Sequence, residues 1–133
     1  MTEKELIARA LSARDRAYCP YSHFAVGAAL ECADGTVYTG CNIENAAYPA
    51  GLCAERAAAA AAVSGGRRDF VRLAVAGTGD DFCTPCGVCR QFLSEFAPEL
   101  EILCVNRRGE ARRLILSDLL PHAFGPARMT RTL

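Results

Sequence analysis

Residues 52–76 read LCAERAAAAAAVSGGRRDFVRLAVA, and the fold turns on how this stretch is read. Leu52 to Val63 is dominated by alanine, the strongest helix former, and Ser64-Gly65-Gly66 closes it. Phe70 to Ala76 is, apart from Arg72, an apolar run of strand length, suited to a strand buried on both faces. Downstream, Pro85 opens a second helix whose Val88, Phe92, Leu93 and Phe96 share one face until Pro98. Glu101 to Val105 and Arg112 to Leu116 flank the turn Asn106-Arg107-Arg108-Gly109 as a hairpin, and Ser117-Asp118 reads as a cap on a short terminal turn. Upstream, His23 to Glu31 and Thr36 to Cys41 form a hairpin about Ala33-Asp34-Gly35-Thr36. Cys19-Pro20-Tyr21-Ser22 separates that hairpin from an amphipathic helix over Glu3 to Ala17. Helices alternating with strands predict one α/β domain over residues 1–133, its helices covering a mixed sheet.

Composition narrows the function. Hydrophobic residues make up 51% of the 133-residue chain and charged residues 23%, a globular balance. Fifteen basic residues offset fifteen acidic ones, which argues against a broad basic footprint for nucleic acid. The charged start Met1-Thr2-Glu3-Lys4-Glu5 shows no secretory signal, and no apolar run approaches the ~18–20 residues of a membrane span. A cytoplasmic chain is therefore expected. Its eight cysteines fall below the roughly 8–10% that marks disulfide scaffolds. In a reducing compartment, clustered cysteines read as metal ligands or catalysts.

The cluster is specific. Cys86-Gly87-Val88-Cys89 places two thiols on one helical face just after Pro85, where the helix N-terminus favours the thiolate. Cys53 occupies the same place at the start of the alanine-rich helix. Three thiolates without a clear fourth protein ligand describe an open, catalytic zinc site. Glu55 stands beside such a metal only if Cys53 lies at the helix end, and there it can carry protons without ligating. Three thiolates leave a zinc site at −1, so the Arg56 guanidinium next to Cys53 is expected to donate to sulfur and withdraw charge. Arg90 either does the same beside Cys89 or meets the surface. The competing readings are a redox C-x-x-C pair, or isolated cysteines acting as small buried hydrophobes. Cys19, Cys32, Cys41, Cys83 and Cys104 have no matching spacing and read as core or loop residues. By themselves, Asn42-Ile43-Glu44-Asn45 reads as a polar loop, and Phe24 and Phe124 as core aromatics.

Cys53-Ala54-Glu55 followed by Pro85-Cys86-Gly87-Val88-Cys89-Arg90-Gln91 resembles the zinc-dependent deaminase superfamily, with cysteine in place of the signature histidine. Residues 19–28, 40–49 and 119–126 extend the likeness across most of the chain, to the short homotetrameric cytidine deaminases. The resemblance implies a three-layer α/β/α fold with a five-stranded mixed sheet. It also implies hydrolytic deamination of cytidine and deoxycytidine in pyrimidine salvage, with one Zn²⁺ per subunit on Cys53, Cys86 and Cys89 and Glu55 as proton shuttle. By similarity, Asn42 and Glu44 bind ribose hydroxyls, Phe24 packs on the pyrimidine, Tyr48 lines the pocket, and the backbone near Ala54 and Cys86 orients the base. Phe124 stacks on the base held by a neighbouring subunit of a tetramer with shared active sites. The expected partner is a small nucleoside, with neither nucleic acid nor membrane. His23 and His122 are not expected to ligate. The alternatives are deamination of another cytosine nucleoside such as blasticidin S, or a zinc-binding module in which Glu55 is incidental. Polynucleotide editing is disfavoured by the zero net charge.

Overall fold

The computed structural model describes residues 1–129; the last four residues of the expected 1–133 unit lie outside that range. Helix α1 (Glu3–Arg14) starts at a capping box in which Thr2 and Glu5 each satisfy the other's backbone N–H. It stops three residues short of the expected Ala17. From Asp15 onward the amides turn back three residues, and the Tyr18 N–H then bonds the Asn42 carbonyl, drawing the chain into a bridge with Ile43. Strand β1 (Val26–Cys32) begins later than His23, because side-chain bonds described below hold residues 21–25 out of the ladder. It turns through Gly35, at φ +85°, into β2 (Val37–Cys41).

Helix α2 (Ala54–Ser64), strand β3 (Phe70–Gly77) and helix α3 (Gly87–Ser94) follow. Then come β4 (Glu101–Val105), β5 (Ala111–Ile115) and two single turns of helix, α4 (Leu116–Leu119) and α5 (Pro126–Met129). The expected cap at Ser117-Asp118 is corrected: both residues lie inside α4, whose cap position is Ile115. The Leu116 N–H bonds the Leu100 carbonyl, so the helix starts as soon as β5 leaves the sheet.

The five strands run in the order β2-β1-β3-β4-β5, antiparallel except for the β3/β4 pair. Alternation along each strand divides the core in two. Ala28, Leu30, Leu73, Val75, Ile102 and Cys104 pack under α2 and α3. Ala29, Ala74, Ala76, Leu103 and Val105 meet Leu6 and Ala10 of α1 on the opposite face. The result is the expected three-layer α/β/α arrangement with a mixed sheet. Two glycines set how closely the layers approach. A Cβ at Gly27 would stand 2.1 Å from the Ala10 carbonyl on α1, and one at Gly40 would stand 2.6 Å from the Ala58 amide on α2.

The register also places the site. Gly27 of β1 pairs with Cys41 on one side and Ala76 on the other. The end of β2 and the end of β3 therefore leave the same edge of the sheet, and the loops toward α2 and α3 start side by side.

Candidate functional site

Those loops deliver two helix N-termini to one point. Cys53 is the N-cap residue of α2 and Cys86 that of α3, each with extended backbone and no side-chain cap. Cys89 lies one turn into α3, fully buried. The three sulfurs lie within 4.8 Å of one another, and those of Cys53 and Cys86 are 3.7 Å apart. Two thiolates on a tetrahedral zinc with bonds of about 2.3 Å stand about 3.8 Å apart, so the donor set fits that ion in element and in spacing. Among the described residues no other His, Cys, Asp or Glu group has this convergence; His23, His122 and the remaining five cysteines stay outside it. Three sulfur donors would leave a bound zinc one position for water or substrate, which is what a catalytic site needs.

The three sulfurs differ in exposure, Cys89 being buried, Cys53 half-buried and Cys86 exposed, and their closeness sets the electrostatics. The Cys89 thiol, then Arg56 and Cys86, hold Cys53 well below the ordinary thiol range, while Cys89 is pushed up by the same Cys53 contact and by burial. Arg56 donates from Nη2 to Cys53 Sγ at 3.5 Å, and its Nε is buried without a partner. Glu55, 4% exposed, is the most buried carboxylate among the described residues. Burial pushes its carboxyl up to about 7, and the Cys53 charge adds to the shift. With Cys53 at the cap, the spacing of two that would separate side chains within a helix leaves Glu55 beside the sulfurs.

A cleft of about 540 Å³ opens beside Cys53 and Arg56 and is lined by Tyr21, Ser22, Asn42, Glu44 and Tyr48 among others. Glu44 accepts the backbone amides of Tyr21 and Ser22 at 2.9 and 3.1 Å and the Ser22 hydroxyl at 2.5 Å. The hydroxyl, ahead of the amides, holds this carboxyl below its usual range. Asn42 accepts the Val26 amide and donates to the Phe24 carbonyl, both at 2.8 Å. Tyr48, 75% exposed, meets Tyr21 edge to face. Phe24 and Phe124 stand outside this lining. The Phe24 ring covers Gly77 at the end of β3 and Gly79 just past it, and Phe124 is 61% exposed with its carbonyl held by the Gln91 side chain.

Arg90 follows neither sequence expectation. It donates to the Pro85 carbonyl at 2.7 Å and to the Leu119 carbonyl at 3.0 Å, tying the start of α3 to α4. Ser22, Arg90 and Gln91 fall in segments that carry the resemblance, but the bonds they make have no local signal, because their partners lie between 5 and 33 residues away.

Residues 1–104 match the family model described as the cytidine and deoxycytidylate deaminase zinc-binding region. The chain is 46% identical over 125 residues to the cytidine deaminase of Sporosarcina psychrophila, covering 93% of this chain and 92% of that one. It is equally similar to the Halalkalibacterium halodurans cytidine deaminase, covering 93% of this chain and 95% of that one. The crystal structure of Burkholderia pseudomallei cytidine deaminase superimposes with a TM-score of 0.90 at 46% identity, over 93% of this chain and all of that one. A conserved architecture and the three-sulfur cluster thus coincide in one molecule: the chain belongs to the zinc-dependent cytidine and deoxycytidylate deaminase family.

Proposed function

We propose that this chain hydrolyses cytidine and deoxycytidine to uridine and deoxyuridine with release of ammonia. The observation that carries the reading is Glu55: a buried carboxyl beside three convergent sulfurs, with its proton affinity raised to about 7. A group that titrates near neutrality both accepts and returns a proton efficiently. Zinc on Cys53, Cys86 and Cys89 supplies a Lewis acid that makes water nucleophilic at neutral pH. Glu55 takes one proton from the water that attacks C4 and delivers it to N3, which keeps it in the product. It then carries the second proton, from the new C4 hydroxyl, to the amine, which leaves as ammonia while the C4–N bond breaks and the C4 carbonyl forms. Arg56 offsets thiolate charge at Cys53. Asn42 and Glu44 engage the sugar hydroxyls with the lone pairs and N–H their internal bonds leave free. Tyr48 closes the pocket, the Ala54 and Cys86 backbone orients the base, and Phe24 packs against it.

The site is completed by other copies of the chain, in a homotetramer where Phe124 reaches a neighbour's base. The exposed rings of Tyr21 and Tyr48 on the cleft, and of Phe24 and Phe124 outside its lining, support this, since large apolar side chains left bare on one small chain suit a contact surface. All eight cysteines are free, which suits a cytoplasmic enzyme of pyrimidine salvage.

The test is ammonia release from cytidine, deoxycytidine, blasticidin S and cytosine-containing oligonucleotides. The two nucleosides should be turned over. Glu55→Gln should retain zinc and fold and lose nearly all turnover, since an amide carries no proton. A near-normal rate in that variant would remove Glu55 from the mechanism. Mixing Phe124→Ala with Glu55→Gln subunits should restore activity at sites that combine intact residues from different chains. A fully active monomer in dilute solution would refute the shared site.

A further inference from the structure

Glu44 and Phe24, assigned above to opposite ends of the nucleoside, are joined by a single side chain. The Ser22 hydroxyl donates to Glu44 Oε2 at 2.5 Å and accepts the Phe24 amide at 3.0 Å. The Tyr21 and Ser22 amides occupy Glu44 Oε1. A carboxylate offers about four lone-pair sites, so three of them are spent on this turn. Between Ser22 and Phe24, His23 sits at φ +57°, a conformation a non-glycine residue holds only where its surroundings impose it. Asn42 grips the far side of Phe24 by its carbonyl. The segment itself is exposed from Tyr21 to Phe24, so hydrogen bonds, not burial, set its shape. The ring lands over two glycines: a Cβ at Gly77 or Gly79 would come within 3.0 or 3.1 Å of it.

We propose that Ser22 is a positioning residue, whose hydroxyl transmits the placement of Glu44 at the sugar end to Phe24 at the base end. The nucleoside then meets two contacts at a preset spacing. The proposal rests on the reading of this site as a nucleoside pocket. Ser22 also lines the cleft, so the experiment must separate relay from direct contact with substrate. A serine touching the nucleoside would matter whether or not Phe24 is present; a relay to Phe24 would not.

The experiment compares Ser22→Ala, Ser22→Thr, Ser22→Val, Phe24→Leu and the Ser22→Ala/Phe24→Leu double variant as zinc-loaded protein. Zinc content and melting curves are recorded, with KM and kcat for cytidine and calorimetric affinity for uridine. Ser22→Ala should raise KM about tenfold with kcat within about threefold, the size expected for one hydrogen bond to a charged partner. Thr, which keeps the hydroxyl, should restore KM, while Val, its near-isostere without one, should not. That pair decides the matter even if the alanine variant folds poorly. In the Phe24→Leu background, Ser22→Ala should add less than about twofold. Equal KM for Thr and Val, or fully multiplicative effects in the double variant, would overturn the relay. Absence of cytidine turnover by the unaltered protein would instead strike the nucleoside reading itself.

Discussion

Gly40→Ala tests whether the sheet and the metal centre share one tolerance. Gly40 lies on β2 beneath the first turns of α2, and an added methyl would stand 2.6 Å from the Ala58 amide and 2.7 Å from the Ala54 carbonyl. Both are backbone atoms inside a helix, so neither can rotate away. Ordinary contact begins near 3.4 Å, which obliges β2 and α2 to part by about 0.8 Å. Overpacking costs about 1–3 kcal/mol, and rigid backbone on both sides puts this case near about 3 kcal/mol. For a chain of this length each kcal/mol lowers the melting temperature by about 3–4 °C, so a drop of about 10 °C is expected. The same displacement moves Cys53, at the N-cap of α2, relative to Cys86 and Cys89 on α3. Metal–ligand distances hold to within about 0.2 Å in real sites, so zinc should be released at least about tenfold more readily to a chelator. Thermal melts by circular dichroism and a chelator titration read both effects. Gly125→Ala, whose methyl would meet nothing within 4 Å, controls for alanine itself. A Gly40→Ala protein that melts within about 2 °C of the original and holds zinc equally well would refute the argument.

Arg56→Ala removes the donor to Cys53 and should lower kcat more than it weakens substrate binding, with zinc held about tenfold less tightly; unchanged zinc retention and an unchanged pH–rate profile would count against it. Arg90→Met cuts the bonds to Pro85 and Leu119, and urea unfolding should show a loss of about 1–3 kcal/mol, with earlier proteolysis beyond α4. Asp34 is held down at about 2 by the Thr36 amide and hydroxyl and then by Arg67. A depressed carboxyl stabilises the fold above its unfolded pKa near 3.8 and ceases to do so as pH falls through about 2. Asp34→Asn should therefore melt earlier than the original at pH 6, and the gap should close by pH 2.

Local chemistry made most of the architecture legible. Alanine over residues 57–62 is helical in almost any setting, and the run ending at Ala76 is too apolar to lie anywhere but the middle of the sheet. The three metal-binding sulfurs were visible for the same reason, because helix starts and an i, i+3 spacing are short-range facts. Element ends were less so. The first helix loses its last turn to Tyr18 pairing with Ile43, and Ser117-Asp118 falls inside α4 because Leu116 is already held by Leu100. Such contests are won by bonds to distant segments, which propensity does not register.

What the sequence determined by itself is therefore the order of the main helices and strands and the cluster of Cys53, Cys86 and Cys89 that can hold a metal ion. Tertiary structure alone decided where the remaining polar groups point. Arg56 lies three residues after Cys53, and its bond to that sulfur is local; Arg90 directly follows Cys89, and only the packing of α4 beside α3 brings the Leu119 carbonyl to it. Ser22 likewise meets Glu44 only because β1 and β2 pair in a register that returns the chain past its own entrance. Hydrophobic pattern and helix propensity act over a few residues and survive in the sequence; a hydrogen bond between segments tens of residues apart exists only once the packed sheet has brought its two ends together.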